Sequence, residues 1–195
     1  MDGDEVISMS ILKHTDATTE QRDEYLRLSS ALKRIEVPEN GDFDEEAAFN
    51  GLEPQMSFEE FKAMRENEQF ILTVTSTGYG KRTSAYEYRI TARGGQGVAN
   101  MEMSERNKAV VSSFPIEDDN QIMMVTDGGK LIRMPVEDIR IAGRKTQGVI
   151  LFRTAEDESV VSVTWLDADD DDEDAELSEE VNEFDGVAAA DESEE

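Results

Sequence analysis

The chain has 195 residues, with 46 acidic side chains against 19 basic ones and a formal net charge of −27. It has no cysteine, which excludes a disulfide framework, a thiol nucleophile and a thiolate metal site. No stretch approaches the roughly 20 apolar residues that span a bilayer, and Met1-Asp-Gly-Asp4 lacks the basic start and apolar run of a secretory leader, so a soluble cytoplasmic protein is expected.

Residues 1–12 open the chain with an apolar-rich run, Glu5-Val-Ile-Ser-Met-Ser-Ile-Leu12, which has strand character. Residues 13–68 change pattern and are expected to form a mostly helical insertion. Between Thr18 and Arg34, Tyr25, Leu28 and Leu32 recur at spacings of three and four, the stripe of an amphipathic helix. Ser57-Phe-Glu-Glu60 has the spacing of a capping box, flanked by Met56 and Phe61 in the positions of a hydrophobic staple. Between them, Pro38 to Pro54 is acidic and rich in turn formers. His14, the single histidine, has no partner pattern and is expected at the surface.

From Gln69 the pattern becomes short β-branched runs between glycine turns: Phe70 to Thr75, Ala109 to Ser112, Gln121 to Thr126 and Val160 to Trp165. These predict an all-β fold. Gln69 to Arg153 holds twelve basic and nine acidic residues, so this part is mildly basic inside an acidic chain. Asp167 to Glu195 holds sixteen acidic residues and no basic one. That composition cannot bury enough surface to offset the entropy of ordering, so a disordered acidic tail is expected.

The β part repeats. Ile71 to Arg82 aligns without a gap on Ile122 to Arg133, fifty-one residues later, and the same offset places Arg93 on Arg144 and Gln96-Gly-Val98 on Gln147-Gly-Val149. With one residue dropped, Val110-Val111 falls on Val160-Val161, and Gly3 to Ser8 matches that same end-of-repeat strand. Fifty residues with about four short strands is the size of a propeller blade, and a blade needs stacked neighbours for its core. Residues 69–119 and 120–166 are therefore expected as two blades and residues 1–12 as the last strand of a preceding one, which implies a truncated protein.

Gly78-Tyr-Gly-Lys-Arg-Thr83, Thr146-Gln-Gly-Val149, Arg153-Thr-Ala-Glu-Asp-Glu158, Asn120-Gln-Ile-Met-Met-Val-Thr-Asp127 and Gly3-Asp-Glu-Val-Ile-Ser-Met9 together resemble the C-terminal domain of the DNA gyrase A subunit, in its last two blades. The resemblance implies a β-pinwheel, a propeller-like disc whose blades exchange strands. It implies double-stranded DNA as partner, bent around a basic rim, within an enzyme that also contains a B subunit together with a second A subunit. That enzyme uses ATP and Mg to introduce negative supercoils; no cofactor is expected in this part, which is expected to be cytoplasmic and nucleoid-associated. The family's basic box belongs to the first blade and is echoed here by Ala92-Arg-Gly-Gly-Gln-Gly97, with one Arg. The catalytic-tyrosine domain has no counterpart in the chain, so no catalytic residue is expected.

Wrapping without base readout needs cations facing phosphates. The repeat offers Lys81, Arg82, Arg89 and Arg93 from the first blade, and Lys130, Arg133, Arg140, Arg144 and Lys145 from the second. Gly94-Gly95 and Gly97 beside Arg93 would let the backbone approach a phosphate. The competing reading of these cations is solvated surface charge, and Arg106, Lys108 and Arg153 are left to it. Tyr79 is expected to cover a neighbouring strand, Tyr86 and Tyr88 to alternate in a half-buried strand, and Trp165 and Met9, Met101, Met103, Met123, Met124 and Met134 to fill core. The acidic run from Asp169 to Asp174 is not expected to hold a metal, but a polyanion beside a basic rim is expected to compete with DNA. The alternatives to a gyrase DNA-binding module are the equivalent domain of topoisomerase IV and an acidic protein-interaction module that does not touch DNA.

Overall fold

Alternating apolar residues lay down the first sheet. The computed structural model describes residues 5–35 and 43–167; all but Asp167 of the acidic C-terminal segment lies outside them. Strand β1 (Phe70–Thr75) turns into β2 (Tyr79–Ser84). The turn needs a left-handed residue, supplied by Gly78 at φ 75°. Its hydrogen bonds are closed by Thr75, whose hydroxyl accepts from the Tyr79 amide at 3.2 Å. After a single 3₁₀ turn (Ala85–Glu87) and a long loop, β3 (Val110–Ile116) returns to pair antiparallel with β1.

The second repeat copies this plan. Strands β4 (Gln121–Thr126), β5 (Leu131–Pro135) and β7 (Val160–Leu166) take the places of β1, β2 and β3. Gly129 stands at φ 80° where Gly78 stands, and the Thr126 hydroxyl accepts from the Lys130 amide at 3.0 Å. The ladder irregularity between Val74 and Thr75 recurs between Val125 and Thr126. A common bulge at equivalent positions is physical evidence that these are two copies of one unit.

The copies are interlocked. The second repeat sends β6 (Val149–Ile150) across to the outer edge of β2, so one sheet runs β3-β1-β2-β6 and the other β5-β4-β7. Residues 140–142 continue the seam: the Arg82 amide donates to the Arg140 carbonyl and the Ala142 amide to the Arg82 carbonyl. Leu72, Val74 and Ile116 from one blade and Ile122, Met124, Val136, Ile139 and Val160 from the other form a single buried cluster. Each such side chain contributes about 1.5–3 kcal/mol when buried. Three of them could not hold the first blade together alone, which is why the blades share a core.

Residues 13–68 build a separate helical cluster against the first blade. Helix α1 (Thr19–Leu32) and α3 (Phe58–Glu66) each begin with a complete capping box, at Thr18/Gln21 and Ser57/Glu60. A short α2 (Glu45–Asn50) lies in the stretch expected to be turns; the Asp44 carboxylate accepts from the Ala47 amide, and Phe49 is buried. Tyr25, Leu28, Leu32, Phe49, Phe61 and Met64 pack together with Tyr86, which comes from the 3₁₀ turn of the first blade. Tyr86 meets the Tyr25 ring edge-on and donates to the Met64 carbonyl at 2.9 Å. The Gln69 side chain bonds both backbone groups of Lys13, at 2.8 and 3.0 Å, and so joins the two ends of the helical segment.

Several expectations need correction. Residues 5–12 form no strand. They run beside β3, with Ser8 donating to the Ser113 carbonyl at 2.9 Å, but Val6, Met9 and Ile11 are about nine-tenths exposed. A strand needs ladder bonds from its own backbone, and among the described residues no backbone hydrogen bond joins residues 5–12 to the open edge of β3. Met9 is therefore not core, nor is Met103 fully covered, and Trp165 is 48% exposed at a groove between the helices and the sheets. Tyr86 and Tyr88 lie in and after a 3₁₀ turn rather than in a strand. No helix among the described residues is long and apolar enough to cross a membrane.

Candidate nucleic-acid interface

Two long loops, one per repeat, carry Arg89 and Arg93 on the first and Arg140 and Lys145 on the second, all exposed. The first follows the 3₁₀ turn. Its stem is closed by the Tyr88 hydroxyl, which donates to the Asn100 side-chain carbonyl, while the Asn100 amide donates to Thr73 at 2.8 Å. Burial holds the Tyr88 phenol up at about 12, so it stays protonated and able to donate. Between these anchors Arg89 and Arg93 are exposed, without an ion pair or hydrogen bond from their side chains among the described residues. Gly94 follows at φ 74° with open space around it.

The second loop is the equivalent segment fifty-one residues on, and it is seated on the first blade. Its ends are the 140–142 seam and β6. At its tip the Thr146 amide and hydroxyl bond the Gly143 carbonyl at 3.1 and 2.7 Å. The Glu87 carboxylate accepts from the Arg144 amide at 2.6 Å. Arg140 and Lys145 are exposed, without side-chain partners among the described residues. Arg144 is half-buried; its Nη1 donates to the Ala99 carbonyl at 2.6 Å and ties this tip to the end of the first loop.

Two of the expected DNA-facing cations are not at the surface. Lys81 is fully buried, and its Nζ donates to the carbonyls of Gly143 and Arg144 at 2.8 Å and of Thr146 at 3.2 Å. Burial lowers its pKa to about 8, against an upward pull from Glu87 and a further downward push from Arg144. Arg82 is 6% exposed; it donates to the carbonyls of Ile139 at 2.7 Å and Glu137 at 3.2 Å and pairs with the Asp118 carboxylate. Buried and bonded to backbone and side-chain oxygens of the neighbouring segment, neither cation is placed to meet a phosphate.

The reason is the borrowed strand. Because the second loop covers the outer edge of β2, the motif Gly78-Tyr-Gly-Lys-Arg-Thr83 becomes an inter-blade clasp. A Cβ on Gly78 would lie 2.1 Å from the Phe152 carbonyl oxygen, and one on Gly80 would lie 2.4 Å from Leu151 Cδ1. Thr83 donates to the Ala142 carbonyl at 2.9 Å. The glycines permit close approach as well as a turn. Among the described residues the equivalent edge of β5 carries no such loop, and Leu131 and Ile132 stand where the clasp has Gly80 and Lys81. Arg133, the repeat partner of Arg82, is accordingly exposed, with its Nε donating to Gln121 at 2.7 Å.

Lys130 is exposed but neutralised. Its Nζ lies 2.5 Å from Glu158, which also accepts from Thr126 at 2.6 Å and from the Ala155 amide at 3.1 Å. The Lys130 ammonium first, then these two donors, hold the Glu158 carboxyl down at about 2. The surviving exposed set is thus Arg89, Arg93, Arg133, Arg140 and Lys145, with Arg144 partly engaged. No group of three or more acidic or histidine side chains among the described residues is arranged to hold a metal ion.

The family model described as the DNA gyrase C-terminal domain, β-propeller, matches residues 69–116 and 120–164. A DNA gyrase A subunit from Granulibacter bethesdensis is 46% identical over 168 residues, which is 83% of this chain and 18% of that protein. One from Rickettsia bellii is 45% identical over 182 residues, covering 92% of this chain and 20% of the relative. The chain thus spans about a fifth of the length of these curated relatives. A solved structure of the C-terminal domain of DNA topoisomerase IV superposes with a TM-score of 0.49 at 23% identity, over 58% of this chain and 36% of that one.

Proposed function

Because the β part of this chain belongs to the DNA gyrase C-terminal β-propeller family, we propose that it binds double-stranded DNA through the exposed cations of its two loops. The observation that carries this reading is that both loops are held at their stems, by Tyr88 and Asn100 in one and by the 140–142 seam and β6 in the other, while Arg89, Arg93, Arg140 and Lys145 keep their donors uncommitted among the described residues. Cations on held loops lose less entropy on meeting phosphate oxygens, and the repeat places Arg89 and Arg140 at the same point of both loops. Contact of this kind reads the backbone rather than base edges, so it suits bending and wrapping more than sequence recognition.

Within a longer polypeptide, such a module would guide a duplex toward DNA cleavage and strand passage carried out elsewhere. The partners in that assembly would be an ATP-hydrolysing B subunit together with a second A subunit. ATP and Mg would act in those parts and not here, and the setting would be the cytoplasm, at the nucleoid.

The test is fluorescence anisotropy of a labelled linear duplex with the full chain across a salt series. Each lost phosphate contact lowers the slope of log K against log salt by about 0.9, which corresponds to about eight-fold in affinity at 0.1 M salt. Arg140→Ala with Lys145→Ala should therefore reduce the slope by about 1.8. Salt-independent binding, or an unchanged slope in the double variant, would refute the proposal.

A further inference from the structure

Lys81 sits where the repeat alone would place a rim cation, yet it points inward. Its three N–H groups meet four oxygens: the carbonyls of Gly143, Arg144 and Thr146, and the Thr146 hydroxyl at 3.4 Å. Two of these carbonyls belong to the residues on either side of Lys145. The tip is curled around the ammonium as a peptide chain curls around a bound cation. Lys81 lies on β2 of the first blade, whereas the tip belongs to the second, so this contact crosses between blades.

We propose that Lys81 is a positioning residue for DNA binding: from inside the sheet of one blade, it fixes the loop tip on the next so that Lys145 points outward, and it does not touch DNA itself. This rests on the DNA-binding reading above. Burying an ammonium costs solvation, which offsets only part of what is lost when an apolar side chain of similar length fills the space and leaves the three carbonyls without their donor. What it could not do is bind three carbonyls at once. The tip would then be held by the Thr146–Gly143 bonds, Glu87, the Arg144–Ala99 bond and the Glu102 amide on the Thr146 carbonyl, none of which gathers the carbonyls on both sides of Lys145. The second blade has Ile132 at the equivalent place on its uncovered edge, which fits a lysine used here for the loop it holds and not for the strand it sits on.

The experiment is a double-mutant cycle on the full chain, with Lys81→Met, Lys145→Ala and the pair, each measured by duplex anisotropy across salt and by urea unfolding. The expected result is that Lys81→Met weakens binding about eight-fold at 0.1 M salt and lowers the slope by about 0.9, as Lys145→Ala does. The pair should lose no more than either single variant. The unfolding midpoint of Lys81→Met should fall while the chain stays folded. A variant that does not stay folded is replaced in the cycle by Lys81→Gln, which keeps donors in the same space. Losses that multiply to about sixty-fold would mean that Lys81 meets phosphate independently, and would overturn the proposal. Normal binding by a folded Lys81 variant, with Lys145→Ala still weakened, would also overturn it while leaving the DNA reading intact. No effect of Lys145→Ala would overturn the positioning proposal, while the DNA reading would stand or fall on the salt dependence set out for it above.

Discussion

Replacing Arg82 and Arg133 by methionine separates what the repeat makes equivalent from what the fold makes different. The two arginines align at the fifty-one-residue offset, so a repeat considered alone gives them one role. Arg82→Met removes donors from the carbonyls of Ile139 and Glu137 and from Asp118. The Asp118 side chain is 68% exposed and can recover water. The two carbonyls lie under the inter-blade seam, and each costs about 1–3 kcal/mol if left unpaired. With some return from the methionine's own packing, the net loss is about 3 kcal/mol. At a urea dependence of about 2 kcal/mol per molar, the midpoint should fall by about 1.5 M. Arg133→Met acts on an exposed strand edge and should stay within about 0.5 kcal/mol, a shift of about 0.25 M. Equal midpoints for the two variants would refute the inter-blade assignment of Arg82. So would a shift of less than about 0.5 M for Arg82→Met.

Gly78→Ala should cost more than about 3 kcal/mol, from a left-handed backbone at about 1–2 kcal/mol plus a clash with the Phe152 carbonyl. Gly94→Ala, at nearly the same φ but in open space, should cost only the first part; similar losses in urea melts would refute this. Glu158 has a native pKa near 2, below its unfolded value. Its contribution is therefore full above about pH 4.5 and lost as pH falls toward 2. The difference in midpoint between wild type and Glu158→Gln should shrink over that window and stay constant above it. Lys81 follows the same sign in a higher window, although its lowered value comes from burial disfavouring the charged form. Its native pKa near 8 lies below the unfolded value of about 10.4, so the unfolded chain holds more protons between these limits. Wild-type stability should therefore rise from pH 8 to 10 relative to Lys81→Met, and a flat difference would contradict the burial of the ammonium.

Local order was readable where one element's own residues decide it. The Tyr25-Leu28-Leu32 stripe is the buried side of α1, and Ser57 with Glu60 caps α3. The turn glycines at 78 and 129 have the positive φ that their spacing suggested. The β-branched runs located β1, β4 and β7 within a residue and the start of β3, which continues to Ile116 past the expected end at Ser112. What remained hidden depends on which strand edge is covered by another segment. Lys81 and Arg82 have the composition of a basic patch, and nothing in their own neighbourhood reveals that residues 137–146 will cover them. The retrievable signal was Gly80: a second glycine inside a strand pattern, beyond what the turn needs, marks a close approach by another backbone. Helix α2 was hidden by its shortness and acidity, although Asp44 ahead of Glu45-Glu46 is an N-cap signal. Trp165 and Met9 show that an apolar residue at the margin of an element can be left in the open.

The strand β6 also sets a timetable. Tyr79 pairs with Ile150, so the sheet of the first blade stays one strand short until the chain has been made well past residue 150. During synthesis, β2 emerges with a bare edge and an ammonium destined for burial. It must wait while β3, β4 and β5 are made before either is covered. Contacts of such long sequence separation are slow to form, and the interval leaves the nascent chain open to pairing with the wrong edge. The charge of Lys81 and Arg82 on that waiting edge acts, until the seam closes, as a gatekeeper against mispairing.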